Sequence, residues 1–245
     1  MIEPQQLPLI WGVIIVAATL RAFTGFGFAL ASVPAFALFL TPAQSVVLSV
    51  SLTLGLSIQT WPQYRTKVLL KPLLPMFAFA AVGTALGALL LVRLSAEIFQ
   101  LAIGVATILA CLVLSRYHPR HRTVHPALTW GTGLAGGVLN GALAIPGPPI
   151  IVYAMATEPN PEKSRAFMLM FFAFSSATAL AGYGIAGLVD LQSLYLFLLS
   201  YPAIYLGDKI GYRLFLHYSG KLYRGVALAT LFLIGIAVIV KGSHL

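Results

Sequence analysis

Apolar residues run through this chain in long blocks, and the polar residues collect between them. Ten apolar segments stand out, at roughly 8–23, 27–40, 43–60, 71–92, 96–114, 127–141, 148–157, 164–187, 191–216 and 220–241. A helix crosses a bilayer with about 20 apolar residues, and most of the segments approach that length. The first two segments of each half differ. Residues 8–40 are too long for one span and short for two with a loop, and 127–157 is shorter still. Thr24-Gly25-Phe26-Gly27 interrupts the first stretch and Ile145-Pro146-Gly147-Pro148-Pro149 the second. Glycine admits positive φ and proline removes an amide donor. The pattern therefore predicts non-helical backbone at membrane depth, which is tolerated only inside protein or beside a water-filled cavity. The fold class expected is an all-α polytopic membrane protein with broken or re-entrant half-helices at the first two segments of each half.

The two halves repeat each other. At an offset of 119 residues, Trp11-Gly12 falls on Trp130-Gly131, Leu20 on Leu139, Val33 on Val152, Pro42 on Pro161 and Ser45 on Ser164. Five residues are then gained, and at an offset of 124 Gly83, Gly87 and Ser95 fall on Gly207, Gly211 and Ser219. Such duplications build many secondary transporters, with the substrate held where the halves meet. Five segments per half is an odd number, so the repeats are expected to be inverted about an axis in the membrane plane. The organisation expected is a first membrane repeat at 1–115, a basic cytoplasmic linker at 116–126 and a second repeat at 127–245.

Composition removes the soluble alternatives. Hydrophobic residues make up 59% of the 245 and charged residues 9%, and the mean hydropathy is +0.93. No soluble core needs that much apolar surface. The formal charge of +9 raises nucleic acid as a partner, but the basic residues sit in short loops rather than a binding stripe. Loops 61–71, 115–126, 157–165 and 207–224 hold twelve Lys and Arg and all fall on one side; Arg93 and Lys241 fall on the other. The bias places those loops in the cytoplasm and both termini outside. Residues Met1 to Pro8 carry no Lys or Arg, so no cleaved signal is expected. Cys111 is the single cysteine, which excludes a disulfide within the chain. His118, His121 and His125 alternate with arginines, and that repulsion disfavours a metal cation. No metal and no cofactor are expected, and a homo-oligomer is compatible with the chain. No HExxH or GxSxG pattern is present, so the chain does not read as an enzyme.

Residues 21–34, Arg-Ala-Phe-Thr-Gly-Phe-Gly-Phe-Ala-Leu-Ala-Ser-Val-Pro, and 136–149, Gly-Gly-Val-Leu-Asn-Gly-Ala-Leu-Ala-Ile-Pro-Gly-Pro-Pro, form a repeated glycine-rich signature. Together with Gly207-x-x-x-Gly211 and the basic residue after it, the chain resembles the sulfite exporter TauE/SafE family. It departs from the family pattern at Ala29, Leu30 and Ala144, where glycines are replaced. The resemblance implies export of sulfite or small organosulfur anions across a cell membrane, the bacterial inner membrane in particular. Transport of another small anion, uptake, and a non-transporting assembly or receptor role are the alternatives.

Individual residues fit an anion site between the halves. A guanidinium at membrane depth costs roughly 3 kcal/mol or more, so Arg21 is expected either to coordinate an anion or to snorkel to the interface. Asn140 occupies its place in the second copy. Half-helices starting near Phe28 and Pro148 aim amino ends, with their dipoles and amides, at the midplane. The candidate substrate-binding set is Arg21, Thr24, Gly25, Gly27, Ser32, Ser45, Asn140, Gly147, Pro148 and Ser164. Asp208 is the candidate coupling carboxylate, with an ion pair near the segment end as the plainer account.

Overall fold

A computed structural model describes residues 7–24, 27–68, 70–116, 125–217 and 220–243. Among them every regular element is helical. The first half comprises α1 (Leu7–Thr24), α2 (Phe28–Ala37), α3 (Pro42–Gln59), a one-turn α4 (Trp61–Tyr64), α5 (Leu74–Leu91) and α6 (Ala96–Arg116). The second comprises α7 (Pro126–Leu143), α8 (Gly147–Thr157), α9 (Pro161–Ile185), α10 (Leu191–His217) and α11 (Gly220–Ser243). Lys71–Leu91, Ala96–Arg116 and Glu162–Ile185 are long and apolar enough to cross a membrane. The hydropathy pattern does not anticipate α4, because four residues are too few to leave a periodic signal. Of the predicted linker, residues 117–124, with His118 and His121, lie outside the described residues.

Helix starts follow local chemistry. Thr41 and Gln44 form a reciprocal capping box at α3. The Asn160 side chain accepts the amides of Glu162 and Lys163 at α9, and His125 Nδ1 accepts the Ala127 amide at α7. Ahead of α10, the Ser193 hydroxyl and amide both donate to Asp190 and hold its carboxyl below the usual carboxylate range.

The interrupted stretches break where the sequence predicts. α2 has 10 residues and α8 has 11. At about 1.5 Å per residue each rises some 15 Å, half of the roughly 30 Å hydrocarbon layer. Gly27, just before α2, has φ 97°, where a side chain would be strained. The break after α7 turns on Ala144, the single described non-glycine residue with positive φ, at 56°. Its amide donates to the Asn140 carbonyl at 2.8 Å, and the Ile145 amide donates to that of Leu139 at 3.2 Å.

Packing interleaves the halves. α5 lies along α7, α1 along α10, α6 against α11 and α3 against α9. Two of these seams are backbone on backbone. A Cβ on Gly87 would meet the Val138 carbonyl oxygen at 2.3 Å, and one on Gly141 the Thr84 oxygen at 2.1 Å. Gly207 and Gly211 press on Ile15 and Thr19 of α1 in the same way. Thr19 donates to the Gly207 carbonyl at 3.1 Å and Trp11 Nε1 to that of Leu199 at 3.2 Å. Small residues at such crossings let helices approach where lipid offers no hydrophobic drive.

Two stability outcomes follow from these contacts. Gly141→Val should force α5 and α7 apart and lower unfolding stability by about 3 kcal/mol or more, whereas Gly12→Ala, with nothing within 4 Å of the new Cβ, should be neutral or slightly stabilising. Thermal unfolding in detergent, followed by size exclusion, separates the two; equal effects would disprove the seam. Ala144→Gly should raise stability by about 0.5–1 kcal/mol, the αL penalty relieved less the entropy glycine adds to the unfolded chain. A lower melting temperature for Ala144→Gly would contradict that account.

Candidate anion site between the two helix breaks

The two breaks come together in the middle of the molecule. Between them lies a crevice of about 30 Å³ lined by Gly27, Phe28, Ala29 and Leu30 from one break and Ala144 to Gly147 from the other. That volume holds about two waters. Arg21 and Asn140, on the last turns of α1 and α7, complete its polar wall with Thr53 of α3 and Ser176 of α9. Ala31 makes the first helical bond of α2, to the Gly27 carbonyl at 3.0 Å. The amides of Phe28, Ala29 and Leu30 therefore precede the α2 hydrogen-bond ladder at the crevice edge. α8 is poorer in donors, because Pro148 and Pro149 in its first turn have none.

Arg21 is 5% exposed. Its Nη2 donates to Thr60 Oγ1 at 3.2 Å, and its Nη1 lies 3.8 Å from Asp208 Oδ1. The side chain is held inside the protein and does not snorkel. It forms a shared wall, for it also lines a second, larger cavity of about 480 Å³ with Thr60, Arg165 and Asp208. This vestibule opens on the side of the basic loops, where Lys67 and Glu162 form an ion pair.

Asn140 is 1% exposed. Its side-chain amide donates to the Ser175 carbonyl at 2.8 Å and to Thr84 Oγ1 at 3.4 Å. The carbonyl ends of the broken helices are covered by distant side chains. The Tyr183 hydroxyl lies 3.0 and 2.9 Å from the carbonyl oxygens of Asn140 and Gly141. Arg165 Nη2 donates to the Ala22 carbonyl at 3.3 Å. Gln100 donates to the carbonyl of Ala37, and Lys241 to that of Leu38.

Of the candidate residues, the structure brings Arg21, Gly27, Asn140 and Gly147 to the crevice. Ser32 instead bonds Ser49 across α2 and α3 at 2.9 Å. Ser45 and Ser164 are buried with hydroxyls that meet no described partner, and neither they nor Pro148 line the two cavities. Gly25 and the side chain of Thr24 lie outside the described residues. Asp208 faces Arg21 across helices, while its neighbour Lys209 sits over the Tyr205 ring at 5.8 Å. Among the described residues no His, Cys, Asp and Glu gather as a metal site. Arg165, Thr53 and Ser176 are additions to the candidate set. Arg165 has a signal in the sequence, since its offset partner in the first half is Val46.

The family profile described as Sulfite exporter TauE/SafE matches residues 10–238. No characterised protein and no solved structure matches the chain. With both glycine-rich breaks inside the matched span, the chain belongs to the sulfite exporter TauE/SafE family of membrane transporters for sulfite or related anions.

Proposed function

We propose that this chain is a secondary transporter that exports sulfite or a small organosulfonate by alternating access, with the anion stripped of water and held between the breaks in a state where the crevice has widened to take it. The observation that carries the reading is Arg21, a guanidinium kept inside the protein that lines both the small crevice between the breaks and the larger vestibule. In this reading Arg21 neutralises the substrate. The amides of Phe28, Ala29 and Leu30 bond its oxygens, and Gly27 and Gly147 let backbone approach. Asn140 supplies a neutral polar wall opposite, and Thr24 and Gly25 belong to the same break. Binding is lopsided, stronger from α2 than from the proline-started α8.

The sequence offset and the crossed packing of α1 on α10 and α5 on α7 support inverted repeats about an axis in the membrane plane. With the basic loops in the cytoplasm, the vestibule is the cytoplasmic access and the anion loads from inside the cell. An inside-negative potential contributes about 2.3 kcal/mol per charge per 100 mV, enough to drive a monovalent anion outward without a coupled ion. The native setting in this reading is the bacterial inner membrane.

Radiolabelled sulfite and ethanesulfonate flux in proteoliposomes under an imposed potential tests the proposal. The natural protein should show saturable flux driven by the potential, and Arg21→Gln should reduce it by about a hundredfold, the scale of a lost charge-assisted hydrogen bond in a buried site. Saturable flux that survives Arg21→Gln would move the site elsewhere. Absence of flux above empty vesicles with folded protein would end the sulfur-anion reading.

A further inference from the structure

The vestibule carries charge beyond the Arg21 that it shares with the crevice. At its inner end lie two guanidiniums, Arg21 and Arg165, and one carboxylate, Asp208; at its mouth Lys67 and Glu162 offset each other. The inner end is therefore left with one excess positive charge. Arg21 and Asp208 are 3.8 Å apart, an ion pair rather than a hydrogen bond. The Asp208 side chain is 24% exposed against 6% for Arg21, so the carboxylate has water to turn to and the guanidinium does not. Charge in a half-buried cavity is screened weakly and favours a counter-ion. The cavity, at about 480 Å³, accommodates a polyatomic anion with some of its water, as the crevice of about 30 Å³ does not.

The other half shows that the fold does not require this charge. By offset, Arg21 falls on Asn140, Asp208 on Thr84, Arg165 on Val46 and Glu162 on Ala43. There Asn140 meets Thr84 at 3.4 Å, and Val46 and Thr84 are buried at 0% and 1% exposure. The same helix crossing thus closes with a neutral pair, so holding α1 to α10 does not account for the Arg21–Asp208 pair, and the Ala22 carbonyl takes one of the five donors of Arg165.

We infer that Arg21 and Arg165 form a second anion site at the floor of the vestibule, taking one monovalent oxyanion of the sulfonate type. Asp208 serves it as an internal counter-ion that the incoming anion displaces from Arg21. The inference rests on the transport reading for its purpose, that of loading the crevice through the wall both cavities share. Its chemistry is independent. A bound monoanion brings Arg21, Arg165 and Asp208 to neutrality, whereas a dianion would leave an excess negative charge in a poorly hydrated space. The planar donors of arginine suit the oxygens of a sulfonate.

Equilibrium dialysis of radiolabelled ethanesulfonate against the purified full chain tests this site apart from flux. Arg165→Gln should weaken binding about tenfold, Arg165→Lys should recover most of it, and Asp208→Asn should tighten it several-fold. Sulfate should compete less well than methanesulfonate. Unchanged binding in Arg165→Gln, weaker binding in folded Asp208→Asn, or sulfate competing as well as methanesulfonate would each overturn the site. Asp208→Glu, which keeps the charge, should bind as the natural protein does, and tightening equal to that of Asp208→Asn would also overturn it. Binding that follows the expected order without any flux in vesicles would keep the site and remove the transport reading instead.

Discussion

A helix that stops inside a bilayer exposes carbonyl groups that no solvent can reach, and each one left bare costs several kcal/mol. The arrangement of this protein depends on meeting that demand. α1 ends on a carbonyl bonded by Arg165, α2 on carbonyls bonded by Gln100 and Lys241, and α7 on two that face the Tyr183 hydroxyl. Every donor comes from a different part of the chain than the end it covers. The ends of α1 and α7 at the breaks are thus tied to α9, and the far end of α2 to α6 and α11.

Against that background the polar residues divide by task. Asn140, Tyr183, Ser32 and Ser49 are occupied within the protein, and their hydrogen bonds offset the cost of burying them. Arg21 is different, because its two partners among the described residues, a threonine hydroxyl and a carboxylate at 3.8 Å, engage few of its five donors.

Much of the architecture was legible in the chain because bilayer physics leaves few choices. Apolar block lengths mark the helices to within a few residues, and Thr24-Gly25-Phe26-Gly27 and Ile145 to Pro149 mark the breaks, since glycine and proline act locally. Loop charge does not tell a re-entrant hairpin from a spanning one, as both return the chain to the same side; what the structure adds is that α2 and α8 are 10 and 11 residues long. Arg165 reads as one more loop cation unless its offset from Val46 is weighed, because its inward direction depends on where α9 begins. Tyr183 and Thr60 carry no local signal at all, for their roles arise from helices far apart in sequence. The serines read as one cluster separate in three dimensions, as Ser32 turns to a neighbouring helix and Ser45 and Ser164 sit away from both cavities.

The seam between α1 and α10 has a consequence for how the chain is made. Trp11 and Thr19 donate to carbonyls 188 residues further along. At about 5–20 residues per second, the first helix waits roughly 10–40 seconds for the partner that covers its glycine-facing side. During that interval the first half lies in lipid with its close-packing face open and its broken end uncovered. The first helix therefore emerges well before its partner exists, and it is held in trust by the bilayer until the last quarter of the chain arrives.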